Sequence, residues 1–266
     1  MKLLFQCDDF GISEAVTLGI IKGIKAGMIR NTGLFTNMPS SGFAAQLIPD
    51  LPEACFGVDV NFVAGKPLSD PKLIPSLVDE NGVFITSIAH FENNKVVGRE
   101  GLATIFEKEP YVYEEILLEM EAQIKRYIEL VGKKPEYLHS HSMGTPVTER
   151  AFEVMAEKYD LIRPFKFWKE KDIFAFPTKW NIKPVFSLEA QANTDVEANV
   201  YQLLDLIKEH EVTALICHAG YVDQDLIDVS SYTMIRPKDL KMATSKKIMD
   251  YLKENHIELV TYRDLI

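Results

Sequence analysis

A chain of 266 residues that is 47% hydrophobic and 26% charged has the apolar surface for a substantial core, in one large α/β unit or two ordinary domains. Its formal charge of −10 argues against a general nucleic-acid grip, which needs Lys and Arg to displace counterions along the backbone. No apolar run approaches the roughly 18 residues of a membrane span, and the N-terminal apolar stretch is too short for a signal peptide, so no membrane partner and a cytoplasmic location are expected.

Residues 3–5 form a candidate strand leading to the adjacent acids Asp8 and Asp9. Residues 15–27 carry apolar side chains at helical spacing and close on Gly27 as a C-cap. A second strand is expected over 32–36, a helix over 41–47 and a third strand over 54–62, whose alternation puts Asp59 and Asn61 on one face. Residues 64–110 are the least regular, punctuated by Gly65-Lys66-Pro67, Asp70-Pro71 and Asn81-Gly82, and read as an insertion serving as a substrate loop or lid. Residues 112–130 pattern as an amphipathic helix with its charges in solvent.

A strand at 137–138 then runs into His139-Ser140-His141, followed by a helix over 148–159 and a strand-like Leu161-Ile162-Arg163 that delivers a basic residue. The aromatic segment 165–180 resists assignment; it suits a substrate wall or the surface of a homodimer. Strands over 185–187, 213–218 and 258–260 alternate with helices over 196–209 and 245–255. Six or seven βα units in one run indicate α/β architecture: a single domain over 1–266 forming a parallel (β/α) barrel, TIM-barrel-like, complete or short of strands, with six to eight of them.

Reactive residues of α/β folds collect where strands hand over to helices, which is where Asp8 and Asp9 sit. Two neighbouring carboxylates repel, so such a pair calls for a cation, a shared proton or a helix N-terminus. Equally, one Asp could cap the following helix while the other is solvated. Of six histidines, His139, His141 and His218 follow strands directly, while His90, His210 and His256 sit in polar settings and read as solvated. On an extended segment His139 and His141 point the same way, so both could bind a metal, or one could bind while the other orients it. An Asp/His cluster with an open coordination position is what metal-assisted hydrolysis needs, with an Asp to take a proton from water and a separate His to protonate the leaving group. Cys7, Cys55 and Cys217 are odd in number, lack a CxxC spacing and read as reduced core residues rather than as a nucleophile.

Asp8-Asp9-Phe10-Gly11, Gly57-Val58-Asp59-Val60-Asn61, Pro135-Glu136-Tyr137-Leu138-His139-Ser140-His141, Leu161-Ile162-Arg163 and Ile216-Cys217-His218-Ala219-Gly220 occur in this order. Together they resemble the YdjC-like carbohydrate deacetylases, which include the chitooligosaccharide deacetylases. The resemblance runs from the first strand to Tyr262-Arg263-Asp264-Leu265. It implies a barrel-like fold and a divalent metal held by an Asp and two His, magnesium first, with manganese or zinc open. Carried onto this sequence, the metal falls to Asp9, Asp59 and His141, and Asp8 becomes the general base, with the order of the two acids left open. His218 becomes the general acid or a substrate contact, and Arg163 contacts a substrate oxygen; Asn61, His139, Tyr221 and Arg236 join the substrate-binding set. The implied reaction removes an N-acetyl group from an N-acetylated amino sugar or short chitooligosaccharide. The alternatives are hydrolysis of another amide or ester, or carbohydrate binding without turnover.

The sequence departs from the family in three places: Asp59 stands where the family has His, His139 where it has Asp, and Met143 where it has a further His. Either Asp59 binds as a carboxylate while His139 supplies the lost imidazole, or the site has ceased to hydrolyse. Phe62, Trp168, Trp180 and Tyr221 could stack on sugar faces, although core packing explains each of them equally simply.

Overall fold

Along β1 (Lys2–Phe10), Leu3, Phe5 and Cys7 alternate with Leu4, Gln6 and Asp8, and all six are buried, so this strand is covered on both faces. The computed structural model describes residues 1–177 and 187–266. After β1 come α1 (Glu14–Ala26), β2 (Asn31–Leu34), α2 (Ser41–Leu47) and β3 (Cys55–Val60). Helix α3 (Ser87–Asn93) and an antiparallel hairpin, β4 (Val96–Glu100) with β5 (Ala103–Phe106), precede α4 (Tyr113–Val131) and β6 (Leu138–Ser140). Then follow α5 (Pro146–Tyr159), α6 (Pro164–Glu170), β7 (Phe174–Ala175), α7 (Leu188–Asn193), α8 (Val196–Tyr201) and β8 (Val212–Cys217). The chain continues through α9 (Gln224–Val229), α10 (Arg236–Ala243), α11 (Lys246–Glu254) and β9 (Glu258–Val260).

The main sheet is parallel throughout and curled, with strand order β6-β3-β2-β1-β8-β7 and β9 laid against the start of β1. This is the curvature of a (β/α) barrel-like fold, in keeping with the βα alternation of the sequence. The helices cover one face, where Leu3, Phe5, Phe56, Val58, Leu138 and Leu215 join the larger apolar core. The concave face holds a separate cluster that includes Leu4, Tyr137, Trp168, Ala214, Val260 and Tyr262. Gly57 belongs to this inner face because a Cβ there would lie 2.4 Å from the Tyr137 ring.

Helix boundaries follow their caps. Ser13, not Asp8 or Asp9, caps α1, its side chain accepting from the Val16 N–H. Thr145 and Thr148 form a capping box at α5, and Ser245 caps α11. Gly132 closes α4 in the left-handed region at φ 78°, whereas Gly27 at the end of α1 does not take that conformation.

Several expectations need correcting. The irregular stretch 64–110 contains α3 and the β4–β5 hairpin, which docks on the loop after His141 through a Thr104 N–H to Gly144 carbonyl bond of 2.8 Å. Leu161–Arg163 is not a strand and makes only an isolated bridge from Ile162 to Tyr137. The helix expected over 196–209 stops at Tyr201, and a 3₁₀ turn, Leu204–Glu209, takes over. His90 is not solvated: it is buried with its ring 5.0 Å from that of Tyr111. Val185, Phe186 and Trp180 lie outside the described residues. The three cysteines are free and buried, as expected. Among the described residues no helix is long and apolar enough to cross a membrane.

Candidate functional site

Successive residues of a strand face opposite ways, so Asp8 and Asp9 should not share a site. They do so because β1 is irregular there: its register against β2 shifts between Cys7 and Phe10, and Asp9 takes φ +75°. A non-glycine residue in the left-handed region is costly and persists where its surroundings hold it. Here the Asp9 N–H donates to Asp59 Oδ2 at 2.8 Å, and both Asp9 carboxylate oxygens are bound.

The concave face gathers Asp8, Asp59 and His139. Asp59 and His139 are direct partners in the β3–β6 ladder, which places His139 Nδ1 3.3 Å from Asp59 Oδ1 and 3.8 Å from Asp8 Oδ2. The three side chains are buried, and one ligand atom from each lies within 4.8 Å of the others. Asp59 Oδ1 and both imidazole nitrogens of His139 are buried without a hydrogen-bond partner among the described residues. Buried polar atoms are ordinarily paired, so this is an incomplete polar group that a cation would complete. Two carboxylates and an imidazole suit magnesium or manganese, with zinc also compatible. Gly33 makes the space: a Cβ there would fall 2.0 Å from Asp59 Oδ1.

Electrostatics mark the same cluster. Burial raises the Asp8 carboxyl to about 7, with Asp59 and Asp9 adding to the rise against the pull of His139. Burial works to lower His139, but Asp8 and Asp59 lift it to about 9. Burial would also raise Asp9, yet His141 and Arg236 hold it well below the usual carboxylate range.

Beside this group stands a second one. Asp9 Oδ1 is 2.9 Å from His141 Nδ1, and Asp9 Oδ2 accepts from Arg236 Nη2 at 2.6 Å. The Phe35 ring packs edge-on to His141 at 4.8 Å. His218 follows β8 with Nε2 3.9 Å from Asp8 Oδ2 and its ring against Tyr232; a third of its side chain is exposed, and burial lowers it to about 4. Its backbone N–H donates to Asp239 Oδ2 at 2.7 Å, and burial raises that carboxyl to about 7.

Five of the six Asp and His side chains named from sequence therefore fall into two groups, with His218 at their edge, 3.9 Å from Asp8. Asp59 stands with Asp8 and His139, while Asp9 and His141 pair with each other and Arg236. The remaining expected contacts are differently engaged. Arg236 is wholly buried beneath Asp9, with Nε donating to the Tyr232 carbonyl. Asn61 is buried and organises its own loop: Oδ1 accepts from the Val63 and Ala64 N–H groups, and Nδ2 donates to the Ala64 carbonyl. Arg163 pairs with Glu149 at 2.7 Å and lies over the Phe152 ring. Phe62 and Trp168 are core residues; Tyr221 is 41% exposed. Sequence reasoning missed Gln6, Tyr262 and Asp239. Gln6 carried a signal, two residues before Asp8 and so on the same face, and Tyr262 opens the stretch that closes the family resemblance.

A curled parallel sheet with carboxylates and imidazoles at the carboxyl ends of its strands defines a barrel-like α/β protein with a buried, ion-competent polar site. The profile of the family described as YdjC-like protein matches residues 2–254, and the chain belongs to that family. It is 30% identical over 265 residues to a carbohydrate deacetylase of Thermoanaerobacter pseudethanolicus, covering 98% of this chain and 97% of that one. It is 29% identical over 269 residues to a carbohydrate deacetylase of Clostridium beijerinckii, covering both chains completely. Among solved structures, a proposed cellobiose-phosphate cleavage protein of Enterococcus faecalis shares the fold, with a TM-score of 0.75 at 24% identity over 99% of this chain and 98% of that one.

Proposed function

We propose that the protein is a metal-dependent deacetylase that hydrolyses the N-acetyl group of an N-acetylated amino sugar or short chitooligosaccharide. The observation that carries this reading is the convergence of Asp8, Asp59 and His139, with unpartnered buried atoms, in a chain whose relatives are carbohydrate deacetylases.

We assign the ion to Asp8, Asp59 and His139 in place of the expected Asp9, Asp59 and His141; the base role expected of Asp8 passes to His141, and His218 is kept as a substrate contact. A divalent cation there would polarise the acetyl carbonyl and lower the pKa of a water. Asp9 holds His141 by Nδ1, which leaves Nε2 to take a proton from the attacking water and pass it to the departing nitrogen. Water oxygen adds to the acetyl carbon, the C–N bond breaks, and acetate and a free amine result. Arg236 keeps Asp9 ionised and fixed throughout. His218, at the exposed edge with its ring against Tyr232, hydrogen-bonds the substrate.

The test is acetate release from N,N′-diacetylchitobiose by metal-stripped protein, with magnesium, manganese or zinc restored separately. Metal-restored release in the wild type, lost in Asp59→Asn, is expected. Stoichiometric ion binding with no acetate from this substrate would overturn the substrate assignment. Absence of ion binding would overturn the metal assignment.

A further inference from the structure

Beneath Asp8 the concave core contains a line of buried polar groups that the reaction above does not use. Trp168, on α6, donates its indole N–H to the Tyr262 hydroxyl at 3.1 Å. That hydroxyl donates to Gln6 Oε1 at 2.7 Å, and Gln6 Nε2 donates to Asp8 Oδ1 at 2.6 Å. Gln6 and Tyr262 have no exposed surface, and Trp168 and Asp8 almost none. Water does not compete for these bonds.

We infer that Trp168, Tyr262 and Gln6 form a one-way hydrogen-bond relay that positions the Asp8 carboxylate and thereby sets the affinity of the Asp8–Asp59–His139 group for a divalent cation. The inference rests on the ion assignment above and adds three positioning residues to it.

Direction follows from the donor inventory. An indole nitrogen only donates, so the Tyr262 oxygen accepts that hydrogen bond and its hydroxyl donates to the neighbouring acceptor. That acceptor must be the oxygen of the Gln6 amide, which turns the NH₂ group toward Asp8. Against an ionised Asp8, the form that binds a cation, the reverse amide orientation would press Oε1 against a carboxylate oxygen, two acceptors with no proton between them. Both ends of the relay therefore enforce one orientation of Gln6. With Oδ1 of Asp8 committed to that amide, Oδ2 is the oxygen turned to His139 and His218, at 3.8 and 3.9 Å. A partner that fixes which oxygen faces the ion orients a carboxylate ligand, and losing such a partner typically costs about 10–100-fold in metal affinity.

Tyr262 is itself firmly placed. Its N–H donates to Asn31 Oδ1 at 2.9 Å, and its ring packs 4.9 Å from that of Tyr137 and 5.9 Å from that of Phe167. It belongs to the 3₁₀ turn Tyr262–Leu265, beyond the residues matched by the family profile, so the chain's last turn reaches back to its first strand.

The experiment is titration of metal-stripped protein with Mn²⁺ by calorimetry, paired with thermal unfolding. Tyr262→Phe keeps the ring and removes only the oxygen; its Kd for Mn²⁺ should rise about tenfold or more. Tyr127→Phe is the control, since its hydroxyl is equally buried but bonds the Phe56 carbonyl away from the site. It should lose stability without a change in Kd. Trp168→Phe, which removes the first donor, should weaken Mn²⁺ binding in the same direction and serves if Tyr262→Phe fails to fold. Wild-type Kd in both Tyr262→Phe and Trp168→Phe, while Asp8→Asn loses the ion, would overturn the relay and leave the ion assignment standing. Wild-type Kd in Asp8→Asn itself would overturn the ion assignment, and the relay with it.

Discussion

Arg236 and Asp9 stand 227 residues apart in sequence and meet at 2.6 Å, each side chain 1% exposed. The guanidinium enters from the first turn of α10, while the carboxylate is turned toward it by the left-handed backbone at position 9. An ionised carboxylate in such a place requires the cation, because an isolated buried charge is prohibitively costly. The pair explains how two adjacent acids can behave differently: Asp9 is kept ionised by Arg236 and His141, while burial pushes Asp8 upward.

Breaking that pair should be expensive. Arg236→Met leaves the Asp9 charge buried without a cation and should destabilise the protein by about 3–5 kcal/mol. Arg236→Met combined with Asp9→Asn should recover part of the loss, since the unpaired charge is gone. Urea denaturation of the three variants measures both quantities; a single-mutant loss below about 1 kcal/mol would contradict the pairing as described.

Gly33→Ala tests the space beside Asp59. The new methyl would fall 2.0 Å from Oδ1, so the carboxylate must turn away from His139. Divalent-ion binding should fall at least tenfold. Overpacking should also remove about 1–3 kcal/mol of stability. Unaltered ion affinity in a folded variant would show that the Asp59 carboxylate adapts freely.

Gln123 and Glu119, on α4, hold the entrance to the 64–110 stretch. The Gln123 amide bonds both the N–H and the carbonyl of Asn61, and Glu119 accepts from the N–H groups of Leu68 and Ser69. Gln123→Leu orphans two buried backbone groups, at about 1–3 kcal/mol each at most. We expect a lower Tm together with faster proteolysis within residues 61–69. Wild-type cleavage rates would mean that other contacts hold this loop.

On the outer surface of α4, hydrogen bonds from Lys158 and Lys125 bring Glu121 from 4.5 down to about 2. A depressed native pKa stabilises the fold above the unfolded value near 4.5, and the contribution fades as the pH falls toward about 2. Because the cluster is at the surface, Glu121→Gln should cost about 1 kcal/mol or less at pH 7. The difference from wild type should shrink between pH 5 and 3 in denaturant titrations. A pH-independent difference would assign the effect to packing instead of charge.

The candidate site was legible in part. The three histidines that directly follow strands and the Asp8-Asp9 pair all reach one site, because strand ends in a parallel sheet lie together. The grouping among them was not legible. Alternation predicts opposite faces for Asp8 and Asp9, and only the register shift and the positive φ at Asp9 overturn it. Asn61 looked like a site residue because it follows Asp59 by two positions; the chain leaves the sheet after Val60, and the side chain turns to its own loop. Arg236 looked like a substrate contact because nothing in its local sequence foretells a carboxylate from β1.

By itself the sequence determined what repeats locally: the βα alternation, the buried strands, the apolar stripe of α4, and the acids and imidazoles at strand ends. These follow from periodicities of two and 3.6 residues, which are properties of short segments. The tertiary structure alone decided which carboxylate faces which imidazole, that Asp59 and His139 are ladder partners, and that Tyr262 reaches Gln6 across 256 positions. Such pairings depend on strand order, register and one irregular residue in β1, and a one-residue change in register would turn each of these side chains to the other face of the sheet.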